Sequence, residues 1–263
     1  MKSINFLALA WALAFSFTLN SDEYPWLSEL DYQNEVFESG QRLMQLEYGL
    51  HALEEKLNNE DSLIIAVHGS RSRGYEWIYP MKTLDSKNHD IYFFRWNDQG
   101  CPYPSALKLD NLIKDKLFRN ETIQKVILIS HSYGGLLTSW FYENWSNNIS
   151  MEIHAIATPI SGMDIVNNMC GYSPPKEIKN NVNVHQWITQ KNIDNAFIDL
   201  ESDPQIISLD GNKAYFLPSK YKNRRLGHNW SISYVADEII KTCLLYTSPS
   251  PRDRSLSRMP SYA

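Results

Sequence analysis

The chain alternates short, largely apolar runs with longer stretches in which apolar residues recur every three or four positions. The short runs are residues 62–67, 91–96, 126–129, 153–157, 184–189 and 206–209. Runs of this length, rich in β-branched residues, predict strands buried on both faces, as in a parallel sheet. The longer stretches at 32–57, 77–84, 106–117, 135–145 and 231–241 carry the helical period. Strands alternating with helices predict one α/β domain, residues 22–242, with a small, mostly parallel six-stranded sheet covered by helices on both faces. Residues 164–183 have mixed period and two prolines and are expected to form a short cap.

The third run leads into a turn with a chemical signature. Lys125-Val126-Ile127-Leu128-Ile129 is followed by Ser130-His131-Ser132-Tyr133-Gly134-Gly135 and then by an apolar helical pattern. A strand, a sharp elbow and a helix place one serine at the apex. Such a turn crowds the backbone, so the residues two before and two after Ser132 must be small, as Ser130 and Gly134 are. The helix start also aims free N–H groups at the serine hydroxyl.

Sites in parallel sheets gather at the carboxyl ends of the strands. Four features fall there: His68-Gly69-Ser70, Ser132, Asp194 and His228. A serine hydroxyl is a weak nucleophile at neutral pH and needs a base, which in turn needs a carboxylate to orient it. Ser132, Asp194 and His228 are therefore the candidate catalytic residues, with Asp199 and Asp203 open as alternative acids. The N–H groups of Ser70 and Tyr133 are the candidate oxyanion hole. His131 is expected to point into helix or sheet packing.

The Ser-His-Ser-Tyr-Gly-Gly turn, the later Ala157-Thr158-Pro159-Ile160-Ser161-Gly162 and the order Ser, Asp, His resemble the α/β-hydrolase family of the lipase and esterase type. Secreted lipases and lipase-like deacylases are the nearest in pattern. The resemblance covers about residues 63–241 and departs from the usual glycine at Ser130. It implies a serine hydrolase cleaving carboxylic esters, above all lipid esters, through an acyl-enzyme, with no cofactor. A thioesterase or acyltransferase with the same triad, or a catalytically silent hydrolase-like binding protein, are the alternatives. The implied partner is a lipid or other ester, with peripheral contact to a lipid interface. Tyr75, Trp77, Trp96, Tyr103 and Tyr133 lie near the expected site and could line it or fill the core.

Composition narrows the picture further. With 25 Lys and Arg against 30 Asp and Glu, the chain is mildly acidic, which argues against nucleic acid as a partner. No His, Cys, Asp or Glu group has metal-ligand spacing. The start of the chain, a lysine followed by Phe6-Leu7-Ala8-Leu9-Ala10-Trp11-Ala12-Leu13 and small polar residues, is expected to be a signal peptide over 1–21. The end, CLLYTSPSPRD from Cys243 and then Ser257-Arg258-Met259-Pro260, resembles a translated sequencing adapter, so residues 243–263 are expected to be foreign to the fold. Of the three cysteines, Cys101 and Cys170 then remain. In a secreted chain they are expected to pair. Sequons at Asn120, Asn144, Asn148 and Asn229 fit a glycoprotein of the secretory lumen.

Overall fold

The computed structural model describes residues 24–54, 61–86 and 88–247, the last five by backbone alone. The expected signal peptide and most of the adapter-like tail lie outside the described residues. Among these residues, no helix is long and apolar enough to cross a membrane.

The central run of the sequence becomes β2 (Ser62–Val67), in which every residue is buried. It is flanked by β3 (His89–Arg95) and β4 (Lys125–His131), both parallel to it. Beyond β4 come β5 (Ser150–Ile156), β6 (Val182–Ile188) and β7 (Asn212–Phe216), also parallel. A short antiparallel strand, β1 (Gly49–Ala52), closes the edge beside β3. The order among the described strands is β1-β3-β2-β4-β5-β6-β7.

Helices cover both faces because alternate strand residues point to opposite sides. Ile127 and Ile129 of β4 pack with α1 (Val36–Gln45), α2 (Tyr75–Leu84) and α7 (Trp230–Thr247). Val126 and Leu128 pack on the other face with α3 (Pro102–Arg119), α4 (Tyr133–Thr138) and α5 (Trp140–Asn144). The chain leaves β2 towards one edge and returns to add β4 on the other side of it. The carboxyl ends of β2 and β4 thus flank the switch point, where open α/β sheets form their crevice.

The structure corrects several sequence expectations. Among the described residues the sheet has seven strands, not six. The helix expected over 32–57 ends at Gln45, and its continuation holds β1. Leu46, Leu50 and Leu53 fit a helical period, but four residues are too few for the period to decide, and pairing with Tyr92–Arg95 decides instead. Residues 206–209 form a loop; Ile207 and Leu209 are half-buried against the core. The sixth parallel strand is β7, a mostly exposed edge that opens on the polar Asn212 and Lys213. The helix after the elbow breaks at Ser139, whose hydroxyl donates to Leu136 O at 2.8 Å. The last helix runs past 241 to Thr247. The cap comprises α6 (Asp164–Cys170) and an extended segment, and Val182 and Asn183 belong to β6 instead.

Candidate active site

Ser132 sits between β4 and α4 with φ 52° and ψ −122°, a conformation L-residues rarely adopt. Strain of this kind costs about 1–3 kcal/mol and persists only where surrounding structure imposes it. Here the neighbours do so. Gly134 lies so close to β2 that a Cβ would stand 2.5 Å from His68 O and 2.6 Å from Val67 O. Ser130 is fully buried, and Thr138 Oγ1 donates to its hydroxyl at 2.8 Å. Ser132 N donates to Ile156 O at 2.9 Å, tying the elbow to the end of β5. The small residues flanking the serine are thus explained by contacts on both sides.

The loop after β2 is equally fixed. His68 is fully buried. Trp96 N–H points at its Nε2 (3.4 Å), so that nitrogen is an acceptor and Nδ1–H donates to Gly69 O at 2.9 Å. Burial and the nearby Arg95 guanidinium hold its pKa down to about 4, so it is neutral at ordinary pH. Trp96 Nε1 donates to His68 O at 2.9 Å, and Arg71 N donates to Asp98 Oδ2 at 2.5 Å. Gly69 abuts the elbow: a Cβ there would meet His131 O and Ser132 Cβ at 3.0 Å each. Among the described residues, the N–H groups of Ser70 and Tyr133 have no protein acceptor. Tyr133 N–H is free because it opens a helix.

Asp194 and His228 come together from loops after β6 and β7. Asp194 is fully buried and Oδ2 accepts Nδ1–H of His228 at 3.0 Å. The same oxygen accepts the Thr189 hydroxyl at 2.5 Å, and Oδ1 accepts Ala196 N–H at 2.9 Å. Burial alone would raise the carboxyl pKa; the bonds from His228, Thr189 and Ala196 outweigh it and hold the pKa below its ordinary value. The carboxylate therefore sets the His228 tautomer with Nδ1 protonated, leaving Nε2 as a free base. Asp199 is exposed, and Asp203 Oδ1 accepts Gln205 N–H at 3.0 Å, capping a turn. Neither competes with Asp194 for His228. No hydrogen bond joins Ser132 to His228; uncomplexed sites often leave this contact long.

His131 plays a part the sequence did not disclose. Its side chain lies against His228 instead of in helix packing, with ring centroids 4.5 Å apart. Its Nε2–H donates to His228 O at 3.1 Å. Burial and the neighbouring His228 hold its pKa well below the ordinary value, so it is a neutral donor. The residue beside the serine thereby holds the backbone of the candidate base. A polar residue directly before Ser132 was the only sequence signal for this.

Cys101, just before α3, and Cys170, at the end of α6, form a disulfide with S–S 2.05 Å. It ties the cap to the rim near Tyr133, whose hydroxyl donates to Gly100 O at 2.9 Å. Helix α6 buries none of its residues, and Ile165 and Met169 are 63 % and 77 % exposed on one face. Of the aromatic residues expected near the site, Trp77 and Trp96 are core, while Tyr103 is exposed and Tyr75 lines a cavity. Among the described residues, no group of three or more His, Cys, Asp or Glu is arranged to hold a metal ion.

No protein-family model and no curated protein matches the chain. Solved structures do. Est1E of Butyrivibrio proteoclasticus superposes with a TM-score of 0.51 at 12 % identity, over 74 % of this chain and 92 % of that one. Est1E with ferulic acid bound gives 0.51 and 12 % over 74 % and 93 %. The Pyrococcus furiosus esterase Pf2001 gives a TM-score of 0.47 and 13 % over 72 % and 82 %. At these identities the likeness establishes the fold, which is that of the α/β-hydrolases.

Proposed function

We propose that the chain is a serine hydrolase that cleaves carboxylic esters through an acyl-enzyme, with Ser132 as nucleophile, His228 as base and Asp194 as orienting carboxylate. The observation that carries this reading is the bond between buried Asp194 and half-buried His228, 3.0 Å apart, with His228 held against the residue that precedes a strained Ser132. A buried carboxylate that fixes one histidine tautomer is needed for proton transfer and serves no evident packing purpose.

In this mechanism His228 Nε2 takes the hydroxyl proton as Ser132 Oγ attacks the ester carbonyl. The oxygen gains negative charge, and the N–H groups of Ser70 and Tyr133 stabilise it. Removing one such donor commonly costs on the order of a hundredfold or more in rate. The imidazolium, steadied by Asp194, then protonates the leaving alcohol. Water repeats the sequence on the acyl-enzyme.

Lipid esters in a secretory compartment are the finer reading. Exposed Ile165 and Met169 on the cap support contact with a lipid interface. The Cys101–Cys170 disulfide, the leader-like start and the sequons support export. A fluorophosphonate probe tests the enzyme reading directly. Wild-type protein is expected to label at Ser132 and Ser132→Ala not at all; an unlabelled wild type would refute it. Nitrophenyl esters of increasing chain length, with and without an interface, then test the lipid preference.

A further inference from the structure

The loop between β3 and α3, residues 97–101, supplies no group to the mechanism. Yet it holds both residues whose N–H groups form the candidate oxyanion hole. Asp98 Oδ2 accepts the N–H of Arg71, the residue after Ser70, at 2.5 Å. Gly100 O accepts the Tyr133 hydroxyl at 2.9 Å. One short segment thus grips the loop after β2 and the start of α4, which come from distant parts of the chain.

Arg71 needs to be held. Its φ of 56° lies in the left-handed region, which a residue with a Cβ keeps only where its surroundings impose it. The residue is exposed, so packing does not impose it; the bond to Asp98 does. The far end of the same loop is anchored separately, where the Ser72 hydroxyl accepts Gly74 N–H at 3.2 Å and donates to Glu76. Turning Arg71 to an ordinary negative φ would swing the peptide that joins it to Ser70 and carry the Ser70 N–H with it. Asp98 does not serve its own turn. That turn is closed by Asn97, whose carbonyl accepts Gly100 N–H at 3.0 Å and whose side chain accepts Gln99 N–H at 3.2 Å. Nor does Arg95 depend on it. Arg95 Nη1 lies 4.0 Å from Asp98 Oδ1, but its Nε donates to Met44 O at 3.1 Å and Nη1 to Trp96 O at 2.6 Å. The Asp98 side chain is only 11 % exposed, so water competes little for its bond to Arg71.

We propose that Asp98 is a positioning residue for the oxyanion hole: through Arg71 N–H it fixes the direction of the Ser70 N–H, while Gly100 of the same loop steadies Tyr133. The effect on catalysis rests on the hydrolase reading above; the hold on Arg71 does not. Two donors stabilise a developing oxyanion only when both point at the place it will occupy. A misplacement of about 1 Å costs on the order of a hundredfold in rate, so a restraint one residue from a donor matters although it never touches the substrate.

The test compares Asp98→Ala, which removes the acceptor, with Asp98→Asn, whose amide oxygen replaces it without the charge. Both are made in the full chain. Because Asn97 closes the turn, both are expected to fold, and thermal melting checks this. On a nitrophenyl ester, Asp98→Ala should lose on the order of a hundredfold in kcat with KM little changed, since the interaction lost is made in the transition state. Asp98→Asn should stay within about threefold of wild type. A trifluoromethyl ketone adds to a catalytic serine to give a tetrahedral oxyanion. Its affinity for Asp98→Ala should fall by the same factor as kcat/KM. A loss confined to KM, an asparagine variant as impaired as the alanine one, or an inhibitor affinity that does not follow kcat/KM overturns the proposal. Amide hydrogen exchange at Arg71, followed by NMR, reads the hold without any chemistry. It should be slow in wild type and Asp98→Asn and on the order of tenfold faster in Asp98→Ala. Equal exchange in all three overturns the hold, whether or not the protein is an enzyme. Failure of the two readings is distinguishable: an active wild type whose Asp98→Ala keeps its kcat refutes the role of Asp98 alone, and a wild type that cleaves no ester while Arg71 exchanges as expected refutes the hydrolase.

Discussion

Asp194→Asn puts the relay to a sharp test, because the structure says the substitution will be quiet for folding and severe for chemistry. Asp194 accepts three hydrogen bonds, from Thr189, His228 and Ala196. An asparagine amide has one oxygen and one NH₂. With the oxygen towards Ala196 N–H, the NH₂ faces the Thr189 hydroxyl and His228 Nδ1. Thr189 can turn its proton to Gln205 Oε1, already 3.0 Å away, and accept from the amide. His228 can accept only by moving its proton to Nε2. Every group is then satisfied, and stability should fall by no more than about 1 kcal/mol, or a few degrees in Tm. The rate should fall far more, because Nε2 now carries a proton and cannot take one from Ser132, and the imidazolium has lost its counter-charge. A loss on the order of 10⁴-fold, about 5.5 kcal/mol, is the expected size. The assay is the rate of fluorophosphonate labelling beside nitrophenyl ester hydrolysis, with nitrogen NMR to read the His228 tautomer and thermal melting to confirm the fold. A variant that folds normally and keeps more than about a third of wild-type labelling would refute the assigned role of Asp194.

Other consequences can be checked independently. Gly69→Ala forces a Cβ to within 3.0 Å of Ser132 Cβ and His131 O, so it should cost about 1–3 kcal/mol of stability and on the order of a hundredfold in labelling rate; wild-type labelling would show that this contact does not hold the serine. His68 is refused a proton down to about pH 4, whereas an unfolded histidine takes one near 6.5, so stability should be lost as pH falls from 6.5 to 4. That loss approaches about 3 kcal/mol, and His68→Gln should flatten the slope by about one proton in urea titrations across the window; an unchanged slope would assign it to other groups. Replacing both Cys101 and Cys170 by serine opens a link across 69 residues and should lower stability by up to about 4 kcal/mol; because the cap helix buries nothing, limited proteolysis near 163–171 should rise while Ser132 labelling persists. Faster proteolysis elsewhere with an untouched cap would contradict that account.

The parts whose physics is local could be read from the residues alone. Strands β2 to β6 are short, largely apolar segments, which a doubly covered sheet accommodates, and they stand where the pattern put them. The elbow was legible because a turn that tight admits few residues at Ser130 and Gly134, and each proves to face a neighbour at close range. Tertiary structure decided what depends on neighbours distant in the chain. β1 and β7 are edges whose sequences lack a strand period, and they exist through pairing with β3 and β6. Three aspartates stood within ten positions, and only folding selected Asp194, by bringing residues 34 apart to 3.0 Å. His131 showed its hold on His228 only once residues 97 apart were in contact. The burial of Glu76 likewise exists only in three dimensions, since nothing in a helix-opening Tyr-Glu-Trp announces that its acid will be withdrawn from solvent.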